Sequence, residues 1–388
     1  MLPAEARDAR RRRAYPDGMN APLYPAARAY AAPLQDHFAR QGAGSCPLPD
    51  ARAIEALVDA AFWASLQREE GYVPEISLAF LPPERAARPL MFARPLPLGA
   101  RALARLAPAV VRPGIHLGVW REGDAFVVWG TTRGVPSFCF VLEVVGPGLL
   151  VVKHRIHEDS AKFHNVAVFE GERVKVLSRR PAEVSDRPAA FRALIATESP
   201  GSVAERDDVL LRLAVSMRAH RRGGTLLVVP AGTDGWRDSI VQPIAYAVEP
   251  PFTELADLAR EAAADESSQA HASLGKVVDE VAGLTAVDGA TVITDRYELL
   301  AFGVKIGRPD NRSRVERVVL TEPIEGAVAV ELAPAQLGGT RHSSAAQFAQ
   351  DQPDAVVLVA SQDGHFTAFA WSPREGMVHA HRLETLLL

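Results

Sequence analysis

The spacing of apolar and polar positions divides the chain into readable elements. A short amphipathic stretch from Tyr24 to Phe38 predicts a helix, which the segment from Gly42 to Pro49 ends. Asp50 is placed to cap a second helix. Along it Ile54, Leu57, Ala61, Phe62 and Leu66 recur at three- and four-residue steps until Gly71 stops it. A β-rich region follows. Ile76 to Leu81, Gly114 to Trp120, Ala125 to Trp129, Phe138 to Val145 and Leu149 to His157 read as strands, with a proline-containing stretch and a short helix near residues 99–108 between the first two. Val166 to Glu170 and Val174 to Leu177 flank Gly171 as a hairpin.

The pattern turns helical again from Asp207 to His220, where Val209, Leu210, Leu213, Ala214 and Met217 share a face. Arg221-Arg222-Gly223-Gly224 then turns directly into an apolar strand, Thr225 to Val229. Pro250-Pro251 punctuates the chain. A helical segment from Thr253 to Leu284 follows, broken near Asp265 to Ser268, and beyond it strands and turns alternate. The reading is a disordered leader over 1–23, an N-terminal α/β or α+β region over 24–249 with room for two subdomains, and a second domain over 253–388. The fold class is α/β (mixed), with a mixed sheet flanked by helices in the second domain.

Composition narrows the classes. Of 388 residues, 48% are apolar and 23% charged, which is ordinary globular usage. Forty-three cations against 47 anions give a net charge of −4, so a dedicated binder of duplex nucleic acid is not expected. Cys46 and Cys139 are the only cysteines, which excludes a disulfide framework and a cysteine zinc site and fits a cytoplasmic location. No apolar run approaches the ~18 residues of a membrane span, and Arg10 to Arg13 precede no apolar signal-peptide core. His154 and His157 have opposite strand parity, which disfavours a metal site there. No Walker A loop, Rossmann glycine fingerprint, nucleophile elbow or zincin helix is present.

The sharpest signal lies after Leu284. Val287-Asp288-Gly289-Ala290 opens a strand. About 50 residues later Gly338-Gly339-Thr340-Arg341-His342-Ser343-Ser344 opens a helix, and the next strand ends in Ser361-Gln362-Asp363. Each piece suits a nucleotide. A carboxylate at Asp288 can meet a metal ion or a ribose hydroxyl. The helix start at Gly338 and Gly339 offers amides and a favourable dipole to phosphate. Arg341 adds a forked cation, Thr340, Ser343 and Ser344 add hydroxyls, and Asp363 is a second carboxylate. Taken singly, Asp288-Gly289-Ala290 is also a common turn, Gly338-Gly339-Thr340 also a helix start capped by Thr340, and His342 also a buried helix residue. The Arg221-Arg222-Gly223-Gly224 turn reads either as a helix end or as a further phosphate contact.

Asp288-Gly289-Ala290, Thr340-Arg341-His342 and Ser361 with Asp363, in this order over residues 253–388, resemble the diadenylate cyclase (DisA N-terminal-like) superfamily. The segments Phe62 to Gly71 and Ala219 to Pro230 resemble the bacterial proteins labelled DACNV, described as a probable sensor domain. The resemblance implies a nucleotide-binding sensor in bacterial second-messenger signalling, with ATP or an adenine cyclic dinucleotide as ligand and Mg²⁺ or Mn²⁺ held by Asp288 and Asp363. It implies nucleotide contacts at Asp288, Gly289, Ala290, Gly338, Gly339, Thr340, Arg341, His342, Ser343, Ser344 and Ser361. If the domain turns over, Asp288, Arg341 and His342 are the catalytic positions, and two ATP become cyclic di-AMP. A homo-oligomer and a separate effector chain are expected partners, with no membrane. Ser343 stands where the superfamily carries a second arginine, and Gln362 replaces a glutamate, which favours binding over turnover. The remaining alternative is an interaction module with a vestigial site.

Overall fold

A computed structural model describes residues 23–40, 46–68, 71–155, 163–177, 186–195, 209–264 and 268–388. The expected leader up to residue 22, Glu69, Glu70 and His157 lie outside them. The chain divides into two compact units, Met1–Leu177 and Ser178–Leu388. That division falls well before the 249–253 boundary read from the prolines. The reason is that the strand following Gly223 pairs within the second sheet, so the segment ahead of Pro250 belongs to the later unit.

In the first unit, helices α1 (Pro25–Arg40), α2 (Ala51–Ser65) and α3 (Ala100–Leu106) accompany eight strands. These are β1 (Ile76–Phe80), β2 (Leu90–Pro97), β3 (Ile115–Glu122), β4 (Ala125–Arg133), β5 (Val141–Gly146), β6 (Leu149–His154), β7 (His164–Glu170) and β8 (Arg173–Val176). The sheet order is β2-β4-β3-β1-β5-β6-β7-β8, with β1 and β3 parallel and the other neighbours antiparallel. Sequence patterning passes over β2 because Pro95 and Pro97 interrupt it; as an edge strand it tolerates them. Asp50 caps α2 as expected, in extended conformation, its carboxylate accepting the Ala53 N–H at 2.8 Å. The apolar stripe of α2 (Ile54, Leu57, Ala61) packs with Leu78, Phe80, Leu117 and Val119 on one face of the sheet. Strand alternation sends Ser77 and Ala79 to the opposite face, where Ala79 packs with Cys46, Trp129, Cys139 and Val141.

The second unit carries α4 (Ala189–Ile195), α5 (Val209–Ala219), α6 (Glu254–Ala264), α7 (Ser268–Leu284), α8 (Pro334–Leu337) and α9 (Thr340–Asp351). Its strands are β9 (Gly224–Val229), β10 (Tyr246–Phe252), β11 (Ala290–Thr294), β12 (Leu299–Val304), β13 (Val318–Thr321), β14 (Val330–Leu332), β15 (Val356–Ala360), β16 (Phe366–Ser372) and β17 (Met377–Arg382). Their order is β10-β12-β11-β9-β15-β16-β17-β13-β14. The strands β9, β11 and β15, apolar but for Thr225, Thr291 and Thr294, are buried along their length, as strands covered on both faces must be. Leu226, Val228 and Leu358 pack under α4 to α7 on one face; Leu227, Val357 and Val359 pack under Ala345, Phe348 and Ala349 of α9 on the other. The unit is therefore the expected mixed α/β sheet with helices on its faces.

Replacing Asp50 by Ala should lower unfolding stability by about 1 kcal/mol, while Asp50→Asn, which keeps the accepting oxygen, should lose much less. Urea unfolding of the two variants checks this; equal losses would show that the cap does not stabilise α2.

Candidate functional site

Register brings the sequence-predicted positions of the second unit to one end of its sheet. β9 and β11 run parallel, so both begin there. β15 and β12 run antiparallel to them and finish there, Ala360 opposite Gly224 and Val304 opposite Ala290. The loops that follow or precede these residues carry Gly223, Asp288, Lys305 and Gln362. α9 also begins at this end, since a Cβ built on Gly223 would lie 3.0 Å from Arg341 Nη1, 3.3 Å from the Ala360 carbonyl and 3.4 Å from Gln362 Cγ. Gly223 has φ +70°, so glycine is favoured there by conformation, with the Arg341 guanidinium packed close beside it.

Each glycine has a separate reason. A Cβ on Gly224 would strike Thr285 Oγ1 at 2.6 Å. On Gly289, at φ +125°, it would strike the Gly303 and Val304 backbone at 2.5–2.7 Å. The space beside Gly289 thus belongs to β12, so this glycine is required by the strand pairing. Gly338 sits on the imidazole of His342, 2.5 Å from Nδ1 for a built Cβ. Gly339 alone of the motif's glycines meets nothing within 4 Å. It, and not Thr340, is the N-cap of α9, and it provides no side-chain cap. The open helix start therefore keeps amides and positive dipole available to an anion.

The charged groups are exposed. Lys305 Nζ lies 2.7 Å from Asp288 Oδ2, with side chains 54% and 93% exposed. The ammonium holds the Asp288 carboxyl below its ordinary pKa, with a lesser effect of Arg341. An ion pair this exposed adds little to stability and can be exchanged for another anion. Arg221 and Arg222 are exposed on the adjoining turn, and Gln362 Nε2 donates to the Arg222 carbonyl at 3.3 Å. His220 ties the turn down. Its Nδ1 accepts the Arg222 N–H at 3.1 Å, which assigns the ring proton to Nε2, 3.2 Å from Thr285 Oγ1. Burial, then Arg222, lowers the His220 pKa and keeps the ring neutral.

Other predicted positions divide. Thr340 is exposed, and Ser343 and Ser344 are half-buried on α9. His342 is buried, 6.1 Å from the Phe369 ring centroid, and burial lowers its pKa, so it supports the helix start from below. Ala290 is buried as the first residue of β11. Ser361 Oγ donates to the Asp363 carboxylate and so is already engaged; this bond is the largest cause lowering the Asp363 pKa. Of the two positions implied for a divalent ion, Asp288 pairs with Lys305 and Asp363 accepts from Ser361, and among the described residues no group of three or more His, Cys, Asp or Glu side chains is placed to hold a metal ion. Sequence reasoning missed Lys305, which no local motif marks, and left the Gly223 turn undecided although its paired glycines between helix and buried strand were the available signal.

Residues 44–133, within the first unit, match the family described as "Probable sensor domain DACNV". No curated protein matches the chain. A similar solved structure is the crystal structure of the hypothetical membrane spanning protein from Bacillus cereus, 14% identical over 50% of this chain and 70% of that one, with a TM-score of 0.27. That likeness carries no argument here. Among the described residues of this chain no helix is long and apolar enough to cross a membrane.

Gly223→Ala should strain the turn by roughly 1–2 kcal/mol and displace Arg341. Gly339→Ala, at an ordinary φ of −72° in open space, should leave the fold intact. Thermal unfolding of both variants measures the contrast, and equal midpoints would refute the close packing at Gly223.

Proposed function

We propose that the Ser178–Leu388 unit binds a phosphorylated adenine nucleotide, ATP or an adenine cyclic dinucleotide, and that the chain acts as a nucleotide-binding sensor in bacterial second-messenger signalling. The observation that carries this reading is the meeting of Arg341, at the uncapped start of α9, with the cationic Gly223 turn. The first amides of α9 and guanidinium groups from two separate stretches of sequence are the donor set a phosphate chain takes. Lys305, exposed beside Asp288, supplies a further cation that an incoming phosphate can share. The match of residues 44–133 to a family described as a probable sensor domain supports the sensing role. The superfamily resemblance of Asp288-Gly289-Ala290 and Thr340-Arg341-His342 supports the adenine nucleotide. A self-associated form and a separate effector chain complete the reading.

Turnover is the second reading, favoured by the exposed carboxylate of Asp288 at the same rim as Arg341. In that reaction the 3′-oxygen of one ATP bonds to the α-phosphorus of another, pyrophosphate leaves, and repetition closes the cyclic dinucleotide. Asp288 is suited to accept a hydrogen bond from the ribose hydroxyl. Ser343 leaves the helix start one guanidinium short of the superfamily pattern. That loss falls mainly on the charge developing at the α-phosphate and not on ground-state binding.

Calorimetry with ATP and cyclic di-AMP tests binding. Arg341→Ala should weaken it by roughly 1.5–3 kcal/mol. Unchanged affinity in a folded variant would remove Arg341 from the site. Incubation with labelled ATP and Mn²⁺ separates the two readings: wild type should turn over slowly or not at all. If it turns over, Ser343→Arg should raise the rate by up to about 10²–10³. Fast wild-type turnover would promote the cyclase over the sensor.

A further inference from the structure

The first unit holds a chain of polar side chains, buried at its Ser77–His116 end, on the face of its sheet turned away from α1 to α3. Leu78 pairs with Leu117, so the preceding residues Ser77 and His116 are neighbours, and Glu143 stands opposite Ser77 on β5. Ser77 Oγ lies 2.7 Å from His116 Nδ1 and 3.2 Å from Glu143 Oε1, and Lys153 forms an ion pair with Glu143. Ser77 is 7% exposed and His116 1%.

The proton positions in this chain can be worked out. A serine has one O–H, and a carboxylate ion-paired with lysine only accepts. Ser77 therefore donates to Glu143, the charged and stronger acceptor. Its remaining lone pair must then take a proton from His116 Nδ1. This leaves Nε2 as a bare acceptor, and Nε2 is buried with no hydrogen-bond partner. A buried acceptor without a donor is costly, and native structures rarely leave one. Protonation does not answer it: burial above all, then Lys153 and Arg155, lowers the His116 pKa to about 4. The same two cations disfavour a metal or ammonium at that nitrogen. The surroundings are aromatic. The Phe163 ring centroid lies 5.8 Å from the imidazole, and the Trp129 indole covers Gly118, two residues along the same face of β3.

We propose that the Lys153–Glu143–Ser77–His116 chain is a ligand site in the first unit, taking a small uncharged molecule with a flat apolar body that presents an O–H or N–H donor to His116 Nε2. Ser77 and His116 lie inside the stretch that matches the sensor family. The site is independent of the nucleotide site in the other unit, so either can fail alone.

The test is ring ¹⁵N NMR of the full chain labelled at histidine, with His116→Phe identifying the resonance. Nε2 should read as unprotonated at neutral pH. Phenol, indole or benzamide should shift it, and toluene, which lacks a donor, should not. Glu143→Leu should hand the Ser77 proton to Nδ1, move the ring proton to Nε2 and weaken the responding probe about tenfold or more. Glu143→Gln keeps an accepting oxygen and should retain both tautomer and binding, which covers the case in which Glu143→Leu does not fold. A protonated Nε2 in wild type overturns the proposal. So does an ordered water only, seen as no response to any of the three donors, or equal probe binding by wild type and a folded Glu143→Leu.

Discussion

The second unit depends on one close contact, that of Gly224 against Thr285. Only a hydrogen at Gly224 lets β9 start beneath the α7–β11 loop, because a methyl group would enter the Thr285 side chain and carbonyl. With β9 seated there, Leu226 to Val229 pair in parallel with β11 and Gly224 to Val228 antiparallel with β15. Two strand starts and two strand ends are thereby gathered at one end of the sheet, and the loops between them carry the charged residues. The same pairing explains why the segment ahead of Pro250 belongs to the later unit.

At that end, rigidity and exposure are separated. The parts that hold position are the two histidines: His342, buried beneath Gly338, and half-buried His220, which links the Arg222 amide to Thr285. The parts that meet an anion are charged and reach solvent: Arg222 and Lys305 are exposed and Arg341 is half-buried. Burial keeps both imidazoles neutral, so neither competes with the cations for a phosphate. The exposed Asp288–Lys305 pair balances its own charge, which leaves the arginines to set the positive charge of the rim.

The first unit shows the same separation on a different scaffold. Its helices cover one sheet face through the apolar stripe of α2, and the other face combines apolar packing around Cys139 and Trp129 with the charged chain ending at His116. A period of two along β1 assigns Leu78 and Phe80 to the helices and Ser77 and Ala79 to the opposite face. One strand thus serves the core and a polar cluster together.

The sequence by itself determined the elements whose signals are local. Asp50 as a cap, the stripe along α2, the apolar strand after Gly224 and the split between α6 and α7 depend on neighbours a few residues apart, and patterning reads such distances directly. It also singled out Asp288, Arg341 and the glycines around them as a group. Other features were decided only by the tertiary structure. β2 was hidden by prolines that an edge position tolerates. Whether the glycine of Asp288-Gly289-Ala290 faces a ligand or a strand was set by β12, and whether His342 is rim or support was set by Gly338. Lys305 joined the site, and Ser77, His116, Glu143 and Lys153 formed a chain, across separations of tens of residues. The physical reason is that strand pairing, not sequence proximity, brings such side chains within hydrogen-bonding distance, and register is a property of the whole sheet.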